Sequence, residues 1–197
     1  LGLALATGAP AGYTLMFAAT LSSSAIMCIS QARNHERRRE LLAIASRTDP
    51  LTGALNRRGF QRAAGAMMAT VTRFDLPVSL VLLDLDKFKA YNDTHGHAAG
   101  DDLLCWAVDC IRASLRPTDA LARLGGDEFA ILLAGADRPA AEAAVERIRE
   151  DLAARVGTSC GIASAPEDGD DIETLYRAAD AQLYDVKRAG AAPDPIA

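Results

Sequence analysis

Two glycines followed by two acidic residues separate two mainly apolar runs, and this feature restricts the fold more than any other. The runs cover residues 120–124 and 129–133, and Gly125-Gly126-Asp127-Glu128 lies between them. Apolar runs joined through a glycine pair are typical of a β-hairpin with a tight turn. The pattern predicts two antiparallel strands with the acidic pair at or just past the turn.

A second apolar run also ends in acidic residues. Residues 78–83 follow a proline and lead directly into Asp84-Leu85-Asp86. A short, near-continuous apolar run predicts a strand that is buried on both faces. If this strand neighbours the hairpin, its terminal carboxylate meets the acids of the turn. Two carboxylates and a backbone carbonyl form the hard oxygen site that holds Mg²⁺ beside phosphates. A solvated acidic turn is the competing interpretation, and spacing alone does not decide between the two.

The rest of the sequence between residues 48 and 190 alternates between helical and extended patterns. Helices are predicted over 55–71, 87–92, 101–115, 139–154 and 172–189, with a loop over 93–97 and a strand over 157–165. The order is then α-β-α-α-β-β-α-β-α. This order predicts an α+β fold in which helices cover a mixed or antiparallel sheet.

Composition excludes several functional classes. Half of the 197 residues are hydrophobic and 24% are charged, which excludes a disordered chain. The net charge of −5 argues against nucleic-acid binding through a basic surface. The four cysteines lack C-x-x-C spacing, and the three histidines include no H-E-x-x-H pattern. Zinc ribbons, redox motifs and zinc hydrolases are therefore disfavoured.

The first 32 residues carry no charged side chain, and the densest apolar stretch covers 13–30. Eighteen helical residues rise about 27 Å, close to the thickness of a bilayer core. Four arginines follow within residues 33–39, which marks that flank as cytoplasmic. A transmembrane segment is therefore expected over 1–32, with a buried helix of a soluble domain as the alternative. The predicted organisation continues with a linker helix over 33–47, a globular domain over 48–190 and a tail over 191–197, at the inner membrane with the domain in the cytoplasm.

Several motifs together resemble one family. They are, in chain order, Asp49-Pro-Leu-Thr-Gly-Ala-Leu-Asn-Arg-Arg58, Asp84-Leu-Asp-Lys-Phe-Lys89, Asn92-Asp-Thr-His-Gly-His97, Gly100-Asp101, Arg123-Leu-Gly-Gly-Asp-Glu-Phe129 and Ala179-Asp-Ala-Gln-Leu-Tyr184. The stretch from about 48 to 190 is similar to the GGDEF-domain diguanylate cyclases, which condense two GTP into cyclic di-GMP and two pyrophosphates. The resemblance implies a polymerase-palm-like domain, with a mixed, largely antiparallel five-stranded sheet flanked by helices. Here it would follow a transmembrane helix.

The resemblance also implies a metal site and its catalytic residues. Asp84, the carbonyl of Leu85, and Asp127 would hold two Mg²⁺ or Mn²⁺ ions. The ions would activate the 3′-hydroxyl of one GTP and neutralise the α-phosphate of the other. Asp127 and Glu128 are the implied catalytic acids. Many family members have glutamate where Asp127 stands, and the shorter side chain keeps the carboxylate.

The implied substrate contacts lie on the segments that follow the strand. They are Phe88 through its amide, Lys89, Asn92, His97, Asp101 and Lys187. Asn92 and Asp101 would bind guanine, because an aspartate can accept from N1–H and the exocyclic amine together, a pair that adenine lacks. By itself, Asp101 is more typical of a helix N-cap than of a base contact. Where the family usually continues to an arginine after Lys187, this sequence has Gly190-Ala191-Ala192.

An arginine and an aspartate stand at the spacing of the family's product-inhibition site. Arg116-Pro-Thr-Asp119 precedes Gly125 by five residues. Arginine forks onto phosphate or guanine and the aspartate takes the guanine edge, so cyclic di-GMP is the implied inhibitor. Arg147 is a candidate second contact. A cation is also favourable at a helix C-terminus, which is the alternative role of Arg116.

The expected function is therefore a homodimeric diguanylate cyclase, tethered to the membrane by its N-terminal helix and binding no nucleic acid. Each subunit would bind one GTP, and the two half-sites must face each other. A non-catalytic receptor for GTP or cyclic di-GMP with the same fold is the alternative. A cyclase with relaxed base choice is a further one, against which Asp101 argues.

Overall fold

In the computed structural model, the chain divides after residue 46 into two compact units. The structure describes residues 47–190, together with residues 21, 27, 29–31 and 33. The predicted transmembrane segment, linker helix and tail lie almost wholly outside the described residues. Within the described part, none of the helices combines the length and the apolar surface that crossing a bilayer requires.

The second unit follows the predicted order of helices and strands. Its helices are α1 (Arg57–Phe74), α2 (Phe88–His95), α3 (His97–Ala113), α4 (Arg138–Leu152) and α5 (Ile172–Gly190). Its strands are β1 (Val78–Leu85), β2 (Ala120–Gly125), β3 (Glu128–Ala134) and β4 (Thr158–Ala165). The α+β class and the hairpin at the glycine pair are thus confirmed.

The sheet has four strands in the described residues, where five were expected. Its order is β2-β3-β1-β4, and all three pairings are antiparallel. The expected mixed character is reduced to one isolated parallel bridge between Leu55 and Ala122. Through this bridge, residues 54–56 lie beside the edge of β2 without forming a strand of their own.

Two apolar layers cover the two faces of the sheet. Alternate residues of the strands pack against α3 and α4 on one face and against α1 and α5 on the other. Every residue of β1 is buried, as expected for a central strand whose sequence is apolar except at Ser79 and Asp84. The fold thereby fixes β1 and its terminal acid from both sides.

The segment after β1 is more helical than the sequence pattern indicated. The predicted loop over 93–97 is mostly helix, because α2 continues to His95 and α3 begins at His97. Only Gly96 separates them, with a φ of 85° that favours glycine. Asp101 therefore lies inside α3, and the N-cap alternative for it is wrong since the N-cap position belongs to Gly96.

Both edge strands of the sheet are partly covered by local hydrogen bonds. Along β2, the Leu55 amide donates to the Leu121 carbonyl and the Arg123 amide donates to the Leu55 carbonyl. Along β4, the Ile162 amide donates to the side-chain oxygen of Gln182 on α5. These contacts satisfy backbone groups that an edge strand would otherwise expose.

Candidate functional site

Asp84 lies one residue before the end of the central strand β1. It pairs in register with Glu128 at the start of β3 and with Ser159 on β4. Only 8% of its surface is exposed. A carboxylate this enclosed needs a partner cation or hydrogen-bond donors to stay charged.

The β2–β3 turn brings the other acids of the motif beside Asp84. Gly125 and Gly126 have backbone φ angles of 152° and 53°, which residues other than glycine rarely adopt. The Leu85 amide donates to the Asp127 carbonyl across 3.3 Å, so the turn and the end of β1 are joined directly. The structure therefore gathers Asp84, Leu85 and Asp127 at one end of the sheet, with Glu128 exposed beside them.

Lys187 reaches this cluster from α5. Its Nζ lies 2.7 Å from Oδ2 of Asp84, and the side chain remains 41% exposed. Burial raises the pKa of the Asp84 carboxyl above its ordinary value. The hydrogen bond and charge of Lys187 oppose that rise, while the negative charges of Asp127 and Glu128 add to it. A cation beside Asp84 therefore stabilises its ionised form.

The donor set suits a hard divalent cation. Two carboxylates and the Leu85 carbonyl are oxygen ligands of the type that Mg²⁺ and Mn²⁺ accept with several waters retained. Among the described residues no cluster of three or more acidic, histidine or cysteine side chains is arranged around one point. Asp84 and Asp127 are therefore the side chains that would hold an ion here, with substrate phosphates and water completing its shell.

The glycine turn is held from outside the sheet by an ion pair. Arg123 donates through Nε to the Gly126 carbonyl at 2.9 Å and through NH1 to Oδ1 of Asp49 at 3.2 Å. The same Asp49 oxygen accepts from the amide and the hydroxyl of Thr52. Burial alone would raise the pKa of Asp49, but these hydrogen bonds and the Arg123 charge outweigh it and lower that pKa. The segment around Asp49 thus serves as a support for the acidic turn.

Asn92 presents a buried oxygen that lacks a partner. Its Oδ1 is the one buried side-chain polar atom without a hydrogen bond in the described residues. A Cβ at Gly100 would lie 1.7 Å from that oxygen and 3.3 Å from the Phe88 ring, so only glycine leaves room for the amide. An enclosed but unsatisfied amide oxygen of this kind points to a ligand that donates to it.

Four other predicted substrate residues lie on α2 and α3. The Phe88 side chain is buried, and its amide begins α2, where helix amides are open to anions. Lys89 and His97 are exposed, and Asp101 is an exposed residue that directly follows Gly100. The structure thus brings Phe88 and Asn92 together at Gly100, next to Asp101 in the chain, and shows no comparable contact for Lys89 or His97.

Arg116 and Asp119 lie at the opposite end of β2 from the glycine turn. Five strand steps separate the two ends, which is about 17 Å. The Asp119 carboxylate accepts from the amides of Arg116 at 2.8 Å and Ala134 at 3.2 Å. Both residues line a cavity of about 270 Å³ together with Arg147, whose guanidinium donates to the Ser114 carbonyl at 2.8 Å. The candidate inhibitor residues are thus grouped with Arg147 and separated from the acidic cluster.

Sequence reasoning missed the contacts that connect distant segments. The Arg123–Asp49 pair, the Lys187–Asp84 pair and the space at Gly100 for Asn92 all depend on the tertiary arrangement. The quoted motifs already contained these residues except Lys187, which the family resemblance named as a substrate contact. Tyr184, the last residue of the final quoted motif, is 60% exposed and lies beneath the Arg188 guanidinium.

The comparisons with known proteins agree with this geometry. Residues 46–193 match the family model described as "Diguanylate cyclase, GGDEF domain". The chain is 36% identical over 154 residues to the probable diguanylate cyclase DgcT of Escherichia coli, covering 72% of this chain and 34% of that protein. It is 38% identical over 175 residues to the cyclic di-GMP phosphodiesterase PdeR of the same organism, covering 84% of this chain and 26% of PdeR.

Among solved structures, the GGDEF domain of DgcB from Caulobacter crescentus in complex with c-di-GMP is similar in fold. The two are 29% identical, with a TM-score of 0.68 and coverage of 74% of this chain and 92% of that one. The chain spans about a third or less of the length of the two curated relatives above. The matched region includes the whole of the second unit's described residues. The chain belongs to the GGDEF-domain family of diguanylate cyclases.

Proposed function

We propose that this domain condenses two GTP into cyclic di-GMP and releases two pyrophosphates. The observation that carries the proposal is the juxtaposition at the end of β1. At that point the buried Asp84 carboxylate, whose pKa is raised, lies beside the acidic turn and the Lys187 ammonium group from α5. Phosphoryl chemistry on a nucleotide needs this combination of metal-binding oxygens and a cation for phosphate.

The site residues divide the work between metal, phosphate and base. Two Mg²⁺ or Mn²⁺ ions held by Asp84, the Leu85 carbonyl and Asp127 would supply activation of the 3′-hydroxyl and charge neutralisation at the α-phosphate. Lys187 exchanges Asp84 for a phosphate oxygen when nucleotide binds. Glu128 adds negative charge at the mouth of the site.

Guanine is selected on the α2–α3 side. The buried Asn92 oxygen accepts a hydrogen bond from the base, and the Asp101 carboxylate accepts from the N1–H and exocyclic amine edge. Adenine in the same position would offer no matching donors to Asn92 and Asp101, so the buried Asn92 oxygen would remain without a hydrogen bond. Phe88 through its amide and Lys89 contact phosphate, and His97 lies near the base or ribose.

Synthesis requires a homodimer. One domain positions one GTP, so its 3′-oxygen must reach the α-phosphate of a GTP held by a second copy. The rate per subunit is therefore expected to rise with protein concentration until the dimer is saturated. A monomeric variant would bind GTP and turn over very slowly.

The proposed inhibitory site lies around Arg116, Asp119 and Arg147. Its cavity and its separation from the acidic turn suit a regulator that binds without competing for the GTP position. Cyclic di-GMP offers the phosphates and guanine edges that two arginines and a carboxylate recognise. The product would then act as a feedback inhibitor.

The alternative is a receptor that binds GTP or cyclic di-GMP without turning it over. The similarity to PdeR, which is named as a phosphodiesterase, is the observation that favours it. The acid set is intact here, since Asp84, Asp127 and Glu128 are all present. A cyclase that also accepts adenine is the further alternative.

The test is incubation of the purified chain, stripped of nucleotide, with GTP and Mg²⁺, followed by mass spectrometry and a pyrophosphate assay. Asp127→Ala, which removes a metal-binding carboxylate from a turn position, is the matched control. Cyclic di-GMP from the wild type and none from Asp127→Ala is the expected result. Bound GTP without product from the wild type would favour the receptor, and product from Asp127→Ala would refute the metal assignment.

Membrane attachment through residues 1–32 is a separate proposal. It rests on the charge-free segment followed by arginines, an order that would put the second unit on the cytoplasmic face of the inner membrane. Fractionation of cells expressing the chain tests it. Recovery in the membrane pellet after a high-salt wash is expected, whereas full recovery in the supernatant would refute it.

A further inference from the structure

The connection between β1 and α2 contributes backbone groups to the proposed site. The Leu85 carbonyl and the Phe88 amide act through the main chain, so their directions depend on the path of residues 85–88. The buried side chains of Leu85 and Phe88 anchor the two ends of that path, and residues 86 and 87 connect them. The residues that hold the connection therefore matter to metal and phosphate binding.

The backbone of this connection is in an uncommon conformation. Lys87 has φ 57° and ψ 24°, in the left-handed region that residues other than glycine, asparagine and aspartate seldom occupy. The neighbouring structure must hold this residue in place, because the conformation is unfavourable in isolation.

Asp86 is the point at which the connection is fastened to β4. Its amide donates to the Gly157 carbonyl at 2.8 Å, and its Oδ1 accepts from the Ser159 hydroxyl at 2.6 Å. A Cβ at Gly157 would lie 2.9 Å from Oδ2 of Asp86, so the glycine backbone closely confines the carboxylate. Ser159 is itself buried and lies opposite Asp84 in the β1–β4 pairing.

We propose that Asp86 is a positioning residue that fixes the β1–α2 connection, so that the Leu85 carbonyl and the Phe88 amide face the metal and the nucleotide phosphates. This inference rests on the proposed function. Its Oδ1 is committed to the Ser159 hydroxyl, and the described residues hold no three-acid cluster around one point. Direct coordination of the metal by Asp86 is the competing role. The two roles predict opposite effects of Asp86→Asn on nucleotide binding.

The test measures binding of 3′-deoxy-GTP with Mn²⁺ by calorimetry. This probe lacks the attacking hydroxyl, so binding is measured without condensation. Asp86→Ala and Ser159→Ala are expected to weaken binding about tenfold, as the loss of a charge-assisted hydrogen bond would. Asp86→Asn keeps an acceptor oxygen for Ser159 and is expected to bind within about twofold of wild type.

Ser164→Ala is the matched control. Ser164 is a buried serine of the same strand, and its hydroxyl lies 2.8 Å from the Ser79 hydroxyl on β1, at the other end of the pairing. It is expected to lower the melting temperature while leaving probe binding unchanged. Gly157→Ala crowds the Asp86 carboxylate from the other side and provides a second variant if Ser159→Ala does not fold.

Two results would overturn the proposal. If Asp86→Asn bound the probe as weakly as Asp86→Ala, the negative charge of Asp86 would be required, as expected for a direct metal ligand. Wild-type binding by folded Ser159→Ala and Gly157→Ala would show that fastening to β4 is irrelevant. A wild-type protein that binds the probe but makes no cyclic di-GMP refutes the proposed function, yet the comparison among these variants still decides the role of Asp86.

Discussion

Replacing Gly100 by alanine tests the proposed guanine contact most directly. The added Cβ would lie 1.7 Å from Oδ1 of Asn92 and 2.8 Å from its Cγ. An ordinary carbon–oxygen contact is about 3.3 Å, so the amide must move by roughly 1.5 Å. A hydrogen bond to the base does not survive a displacement of that size. GTP affinity is expected to fall about tenfold or more, equivalent to about 1.4 kcal/mol.

The effect on stability is expected to be modest, because two contributions to it oppose each other. Crowding a packed position costs about 1–3 kcal/mol, and alanine regains about 1 kcal/mol over glycine inside a helix. The free energy of unfolding should therefore change by about 0–2 kcal/mol. Thermal melting and calorimetric titration with 3′-deoxy-GTP separate the two quantities.

Gly65→Ala is the control, because it makes the same change inside α1. A Cβ there would meet nothing within 4 Å. It is expected to raise the free energy of unfolding by about 0.5–1 kcal/mol and to leave GTP binding unchanged. If Gly100→Ala binds the nucleotide as tightly as wild type, the Asn92 amide does not contact the base and the reasoning fails.

Four further predictions concern charged residues. Asp84→Asn should abolish pyrophosphate release yet retain or raise the melting temperature at neutral pH. Burial raises the pKa of the Asp84 carboxyl, so its charged form destabilises the fold above that pKa, and the neutral amide removes this cost. A variant that is both folded and active would refute the metal role. Asp49 has a lowered pKa, so its contribution to stability is present above the unfolded-state pKa and lost as the pH falls through the folded value. In Asp49→Asn, the melting temperature should therefore fall less steeply as the pH is lowered. Arg123→Ala should lower the free energy of unfolding by about 1–2 kcal/mol and reduce activity, because the glycine turn loses its support. Full activity in Arg123→Ala would contradict the support role. Arg116→Ala should raise the inhibition constant for cyclic di-GMP at least about tenfold with the uninhibited rate unchanged, and unaltered inhibition would exclude the proposed site.

The sequence predicted the central strand and the hairpin well, because both depend on local pattern. A run of apolar residues without polar alternation fits only a strand covered on two faces, and β1 is buried throughout. Helix ends were predicted less well. Before α5 the sequence offers two successive carboxylates, Asp170 and Asp171. Asp171 is the one that accepts from the Thr174 amide, since capping depends on one local turn of the backbone.

The contacts that complete the candidate site could not be predicted from local pattern. Arg123 and Asp49 are 74 residues apart, and their pairing needs the edge of β2 to lie beside residues 54–56. Tyr184 is aromatic in an amphipathic helix, which favours burial, yet the turn of α5 directs it to solvent. Pairing between distant segments follows from the register of the sheet, which the separate motifs do not encode.

The covered edges of the sheet bear on how two copies can meet. An uncovered edge strand invites a second chain to extend the sheet, which leads to open-ended association. Here Leu55 occupies part of the β2 edge and Gln182 part of the β4 edge, so both ends resist strand addition. A pair of these domains would then assemble through side-chain surfaces rather than by extending the sheet. In the proposed homodimer, such a contact would allow the two half-sites to separate between turnovers, so that product could leave and new substrate enter.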